Sequence, residues 1–238
     1  MPADRRRPAA LLWDMDGLLV DSEPVWTVAE RELFASWGMA FTPSMKAAVV
    51  GRRMDASVQL MIELGAPGSD GATAAAVADR LLHRMAELFA EDLPLLPGVT
   101  DLLAAAHAAG IPQALVSASY RLLVDAVLAG LPGEPFDVAV AGDEVTHGKP
   151  HPEAYLTAAA RLGVDAHDCI VLEDTPTGAR AGAAAGAAVV YCPSVPSAGA
   201  PEPGWHAVPT LAAVGLDDLR GWLGPASDVS PGGRAARG

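Results

Sequence analysis

Asp14 and Asp16 flank Met15 directly after the apolar run ALLW, and Asp21 follows a turn around Gly17. Carboxylates two positions apart carry like charges, an arrangement easier to maintain with a cation or a shared proton. An acidic turn that merely ends a strand would look the same locally, so other parts of the chain must decide. Ser117 and Ser119 follow the run IPQALV, Lys149 lies in THGKPHPE, and Glu173 and Asp174 close CIVLED ahead of Thr175, Pro176 and Gly178. Together these groups could supply an oxygen-rich Mg2+ site, hydroxyl and backbone donors, and one fixed positive charge. Such a set suits phosphoryl oxygens. Hard carboxylates suit Mg2+, and no compact His/Cys group suggests zinc.

These groups need elements that deliver them to one place. Residues 9–14 read as a buried strand, and residues 22–38 as a helix with Val25, Ala29, Leu33 and Trp37 on one side. Further helical patterns occupy 44–64 and 72–90, punctuated by Gly65, Pro67, Gly68 and Gly71. This block, 22–94, reads as a small all-helical cap inserted after the first strand, with LPLLPGV at 93–99 as the return hinge. Strands at 111–117, 136–140, 168–172 and 187–192 then alternate with helices at 99–109, 120–129, 151–162 and 176–186. The alternation predicts an α/β core over 9–21 and 95–223: a three-layer, Rossmann-like arrangement around a mostly parallel sheet. Ligands of such sheets bind outside the carboxyl ends of the strands, where each chemically unusual group falls. Residues 209–223 suggest one more helix, and 224–238 a disordered tail.

Composition narrows the partners. The chain of 238 residues carries 16 basic against 29 acidic residues, a formal charge of -13, which argues against nucleic acid or an anionic membrane. A phosphorylated small molecule remains compatible, because a metal and a few local cations can reverse the field within a pocket. The N-terminal segment does not read as a signal peptide or a membrane span, and Cys169 and Cys192 read as reduced, separately packed thiols. A cytoplasmic location and a monomer are the expectations. Gly178, Gly182 and Gly186 suggest close helix packing, and Trp13 a packing residue. His147 and His151 bracket Lys149 without a third close donor, so they suggest loop or substrate contacts.

The chain resembles the haloacid dehalogenase superfamily, particularly the branch of beta-phosphoglucomutase and small sugar-phosphate phosphatases. The resemblance rests on DMDGLLVDSE at 14–23, the serine after ALV at 117, GKPHPE at 148–153 and LEDTPTGARAGAAAGA at 172–187. It implies that Asp14 attacks phosphorus to form an aspartyl phosphate, while Asp16 protonates the leaving oxygen and then activates water. Ser117, Ala118 and Lys149 would bind the substrate, the serine and lysine holding phosphoryl oxygens. Asp14, Asp16 through its backbone carbonyl, and Asp174 would bind Mg2+, with Glu173 joining or supporting that shell. The implied activity is hydrolysis of a small phosphorylated metabolite, a sugar or polyol phosphate.

Two alternatives stand beside it. In the beta-phosphoglucomutase group a histidine occurs twelve positions after the nucleophile; Trp26 holds that position here. An indole cannot transfer protons as an imidazole does, which counts against a phosphomutase. A nonenzymatic binding or regulatory protein of the same fold is the other. In the cap, Arg52 and Arg53 of GRRMD and Glu23 near the entrance are candidate substrate contacts. Lys46, the only cap lysine, shows no activation that would support phosphonate cleavage.

Overall fold

The computed structural model describes residues 7–66, 68–194 and 199–223; Pro67 and the tail expected at 224–238 lie outside the described residues. Six strands form one sheet: β1 Ala10–Trp13, β2 Gln113–Val116, β3 Val138–Val140, β4 Cys169–Glu173, β5 Ala188–Tyr191 and β6 His206–Ala207. Their order is β3-β2-β1-β4-β5-β6, and every neighbouring pair is parallel. The chain runs outward from β1 through β2 to β3, then returns to β4 on the other side. β1 and β4 therefore flank the point where strand order reverses, the ligand crevice of open parallel sheets.

The sheet is covered on both faces because its strands alternate between two apolar clusters. Leu11, Trp13, Leu115, Ile170 and Leu172 face one cluster, while Ala10, Leu12, Val116, Cys169 and Val171 face the other. Helices α5 Val99–Ala108 and α6 Arg121–Gly130 pack on the first face. Helices α7 Glu153–Leu162 and α8 Pro176–Ala184 contribute Tyr155, Ala158 and Ala181 to the second. Trp13 is a packing residue: it is fully buried, lies edge-on to Phe136 and donates its indole N–H to Gln113 at 3.1 Å.

Between β1 and α5 the chain forms α1 Ser22–Ser36, α2 Pro43–Val49, α3 Met54–Leu64 and α4 Ala74–Glu91. Phe34, Phe41, Val58, Leu81, Met85 and Phe89 from this block share one continuous apolar cluster with Trp13, Leu123 and Val127, and α4 packs along α6. The two connections to the sheet are bonded to each other. Asp21 donates to the Pro94 carbonyl, Leu96 donates to the Leu19 carbonyl, and Val20 and Leu95 form an antiparallel bridge.

Two expected elements are different in the structure. The single pattern at 44–64 is two helices, because Gly51 turns the chain in the left-handed region at φ 75°. The helix expected at 209–223 is a 3-10 turn Leu211–Ala213 followed by α9 Leu216–Trp222, with Gly215 at the break donating its N–H to Asp218. The short strand β6 was not anticipated. Among the described residues no helix is long and apolar enough to cross a membrane.

Candidate active site

The register of the sheet sets the positions of the acids. Trp13 pairs with Leu172 and with Leu115, and the Asp14 N–H donates to the Leu172 carbonyl at 3.0 Å. Asp14 thus leaves β1 beside Glu173 and Asp174 at the end of β4, and Ser117 leaves β2 on the opposite side. Asp14, Ser117, Glu173 and Asp174 are all buried. Carboxylate oxygens of Asp14, Glu173 and Asp174 lie within 4.8 Å of one another.

Lys149 ties the cluster together. Its ammonium donates to Asp14 Oδ1, to Glu173 Oε1 at 2.7 Å and to the Val116 carbonyl at 3.1 Å, using all three of its protons. Burial opposes its charge, but Asp14 and Glu173 outweigh burial and hold the ammonium well above the ordinary lysine range. Burial and the neighbouring Glu173 push the Asp14 carboxyl up, against the pull of Lys149. Burial and Glu173 likewise raise Asp174 to about 7. Three carboxylates against one ammonium leave two negative charges, which a divalent cation would balance.

Glu173 is held from every side. Its Oε1 also accepts from the Tyr155 hydroxyl at 2.7 Å; its Oε2 accepts from the Asp174 and Thr175 amides and the Thr175 hydroxyl. Thr175 caps α8, accepting from the Gly178 N–H at 3.1 Å, and Pro176 occupies the first turn, where a missing N–H costs nothing. Gly178 matters by what it lacks: a Cβ there would overlap the Glu173 carboxylate, and one at Gly182 would press into Val171. The close packing expected of these glycines is present.

Asp16 divides its oxygens. Oδ2 accepts from the Ser119 hydroxyl at 2.8 Å and from the Ser117 hydroxyl at 3.3 Å, and the Ser117 oxygen accepts from the Ser119 N–H. Ser119 therefore serves Asp16 instead of capping α6, whose N-terminal residue Tyr120 makes no side-chain cap. Ala118 lies exposed between the two serines, its carbonyl packed against Gly142. Among the described residues, three buried side-chain atoms have no partner: Asp16 Oδ1, Asp174 Oδ1 and Arg121 Nε. Two of the three are acid oxygens of this cluster. The orphaned Asp174 Oδ1, a hard oxygen donor beside excess negative charge, fits Mg2+.

The cap candidates have local partners. Arg52 is exposed and donates to the Ala48 carbonyl; Arg53 is exposed and pairs with Asp55 at 3.6 Å. Glu23, also exposed, pairs at 3.0 Å with Lys46, which holds buried Glu30 at 2.9 Å. The structure brings none of the three into contact with the acid cluster. Trp26 is half-buried and packs against the main apolar cluster. A surface depression of about 420 Å³ between α1 and α4, lined by Glu32, Arg80 and Arg84, also lies apart from the acids. Cys169 and Cys192 are free thiols, and burial pushes Cys169 up to about 12, which keeps it un-nucleophilic.

Sequence reasoning missed Tyr155 and Ser194. Tyr155 was findable: it is the one phenol on an α7 face otherwise made of Ala154, Ala158 and Ala159. Ser194, which donates to Asp174 Oδ2 at 2.8 Å, comes from a Pro/Gly/Ser-rich stretch with no such signal. One negative expectation is corrected. His147 and His151 do have a third close donor, because Glu153 at the start of α7 places its carboxylate against both rings.

Comparison with known proteins agrees with this geometry. The sequence model of the haloacid dehalogenase-like hydrolases matches residues 8–186. Hexitol phosphatase B of Escherichia coli (strain K12) is 36% identical over 182 residues, covering 76% of this chain and 81% of the relative. Fructose-1-phosphate phosphatase YqaB of the same strain is 33% identical over 181 residues, covering 76% of this chain and 94% of the relative. A crystal structure of CbbY from Rhodobacter sphaeroides in complex with phosphate superposes with a TM-score of 0.76 at 27% identity, covering 87% of this chain and 96% of that one.

Proposed function

The chain belongs to the haloacid dehalogenase-like hydrolase family, in its beta-phosphoglucomutase-like branch, and on that premise we propose a Mg2+-dependent phosphatase of sugar or polyol phosphates. One observation carries this reading: a buried Asp14 fixed by Lys149, beside acid oxygens of Asp16 and Asp174 that have no protein partner.

In this reading Asp14 attacks phosphorus through a carboxylate oxygen and displaces the leaving alkoxide, giving an aspartyl phosphate. Lys149 holds Asp14 in line and adds positive charge near the transferring group. Asp16 gives its proton to the leaving oxygen, then takes one from the water that cleaves the acyl phosphate. The serine hydroxyls fix its Oδ2, so the unpartnered Oδ1 is the atom for that work. Ser117 and the Ala118 backbone receive phosphoryl oxygens. Asp14, Asp174 and the Asp16 carbonyl would hold Mg2+, which supplies a fixed positive charge at the phosphoryl oxygens. The five donors on Glu173 support a positioning role for it, steering Lys149, over direct ligation.

Residues 22–94 act as the cap that excludes water and selects the leaving group, with Glu23, Arg52 and Arg53 as its substrate contacts. Trp26 at the mutase histidine position favours water as the final acceptor. Phosphate release from a panel of hexitol, hexose, pentose and glycerol phosphates, with and without Mg2+, tests the proposal. Release from a sugar or polyol phosphate in Mg2+ is expected; no release from any of them would sink it.

A further inference from the structure

Beside the acid cluster, on the loop that carries Lys149, lies a second group of metal-ligating side chains. His147, His151 and Glu153 each offer one ligand atom within 4.8 Å of the others. Both rings address the same carboxylate oxygen: His147 Nδ1 lies 2.8 Å from Glu153 Oε2, and His151 Nδ1 lies 3.9 Å from it. The rings are tilted at 33° with centroids 4.6 Å apart, so the two nitrogens converge without stacking flat. We propose that His147, His151 and Glu153 form a second metal site, distinct from the acid cluster, that takes a borderline transition cation of the Zn2+ class.

The donor set selects the metal. Two imidazoles and one carboxylate match the two-histidine, one-carboxylate sets that hold Zn2+ with an open fourth position. Mg2+ prefers oxygen ligands and gains little from imidazole. Ligand atoms around a tetrahedral Zn2+ sit about 3.4 Å apart, so separations of 2.8 and 3.9 Å bracket the required spacing.

Protonation and support also fit. His151 Nδ1 accepts from the Glu153 N–H at 3.3 Å, a long bond that an incoming ion would replace. His147 Nδ1 shares its proton with Glu153 Oε2, and the ion would displace that proton to solvent. Glu153 Oε1 accepts from the Thr146 N–H at 2.7 Å, which orients the carboxylate from outside the site. Side-chain exposures of 62% and 50% for the two histidines leave the site open to an ion from solvent.

This site does not depend on the phosphatase reading, since its test measures binding. The full chain, held in saturating Mg2+ to occupy the acid cluster, is titrated with Zn2+ alone by calorimetry, and with Co2+ as a spectroscopic probe. One ion per chain, a visible Co2+ band of nitrogen-ligated low coordination and a rise in Tm are expected. His147→Ala/His151→Ala should lose all three while keeping the wild-type circular-dichroism spectrum. Should the double variant fold poorly, His151→Ala alone, which removes a direct ligand, should weaken Zn2+ by more than the roughly ten- to hundredfold typical of losing an outer-shell partner. No Zn2+ binding by the wild type in Mg2+, or unchanged binding by the variants, would overturn the site.

Discussion

At the scale of single residues, the chemistry turns on how each acid is prevented from doing another acid's work. Asp14 is pinned by an ammonium, while Asp16 takes hydroxyl donors on one oxygen only. Asp14→Asn removes the attacking oxygen and should lower turnover at least about 10⁴-fold, with no trapped phosphoenzyme in rapid-quench labelling. Asp16→Asn should cost about 10²–10⁴-fold on an alkyl phosphate, whose leaving oxygen needs a proton. On 4-nitrophenyl phosphate, whose leaving group needs none, the same variant should accumulate labelled phosphoenzyme. Failure of the phosphoenzyme to accumulate on 4-nitrophenyl phosphate would remove Asp16 from the proton-transfer role. These acids were legible because the strands that carry them are short and apolar, so a carboxylate at the end stands out. Ser194 was not, since a hydroxyl on a loop looks the same whether it faces an acid or water.

At the scale of elements, α8 couples the end of β4 to its own first turn. Thr175 caps the helix and also donates to Glu173, and Gly178 leaves the space that the Glu173 carboxylate fills. Gly178→Ala should therefore cost about 1–3 kcal/mol in denaturant melts and also lower kcat by displacing Glu173 from Lys149. Gly182→Ala presses on Val171 instead, so it should show a similar stability loss with kcat nearly unchanged. If both variants lost activity in step with stability, Glu173 would have no positioning role. The strand–helix alternation was readable because buried parallel strands and Ala-rich helices have unlike patterns. The break at Gly51 and the two-residue strand β6 were not, because neither leaves a periodic trace over so few residues.

At the scale of the whole molecule, the sheet gathers more negative charge than the protein's own cation offsets. Chelation should abolish turnover, and Mg2+ should raise Tm, since a ligand at a hundred times its Kd stabilises the folded state by about 2.7 kcal/mol. Calorimetric scans with EDTA and with Mg2+ check this; in Asp174→Asn the Mg2+-induced rise should shrink. A wild-type Tm indifferent to Mg2+ would count against the site. Charge is only half of the global design, because the four helices between β1 and α5 share an apolar cluster with the sheet. Their two tethers are bonded to each other through Val20 and Leu95. Any opening of the helical block about these tethers would have to part α4 from α6, so the passage of substrate and of product would draw on the same apolar seam.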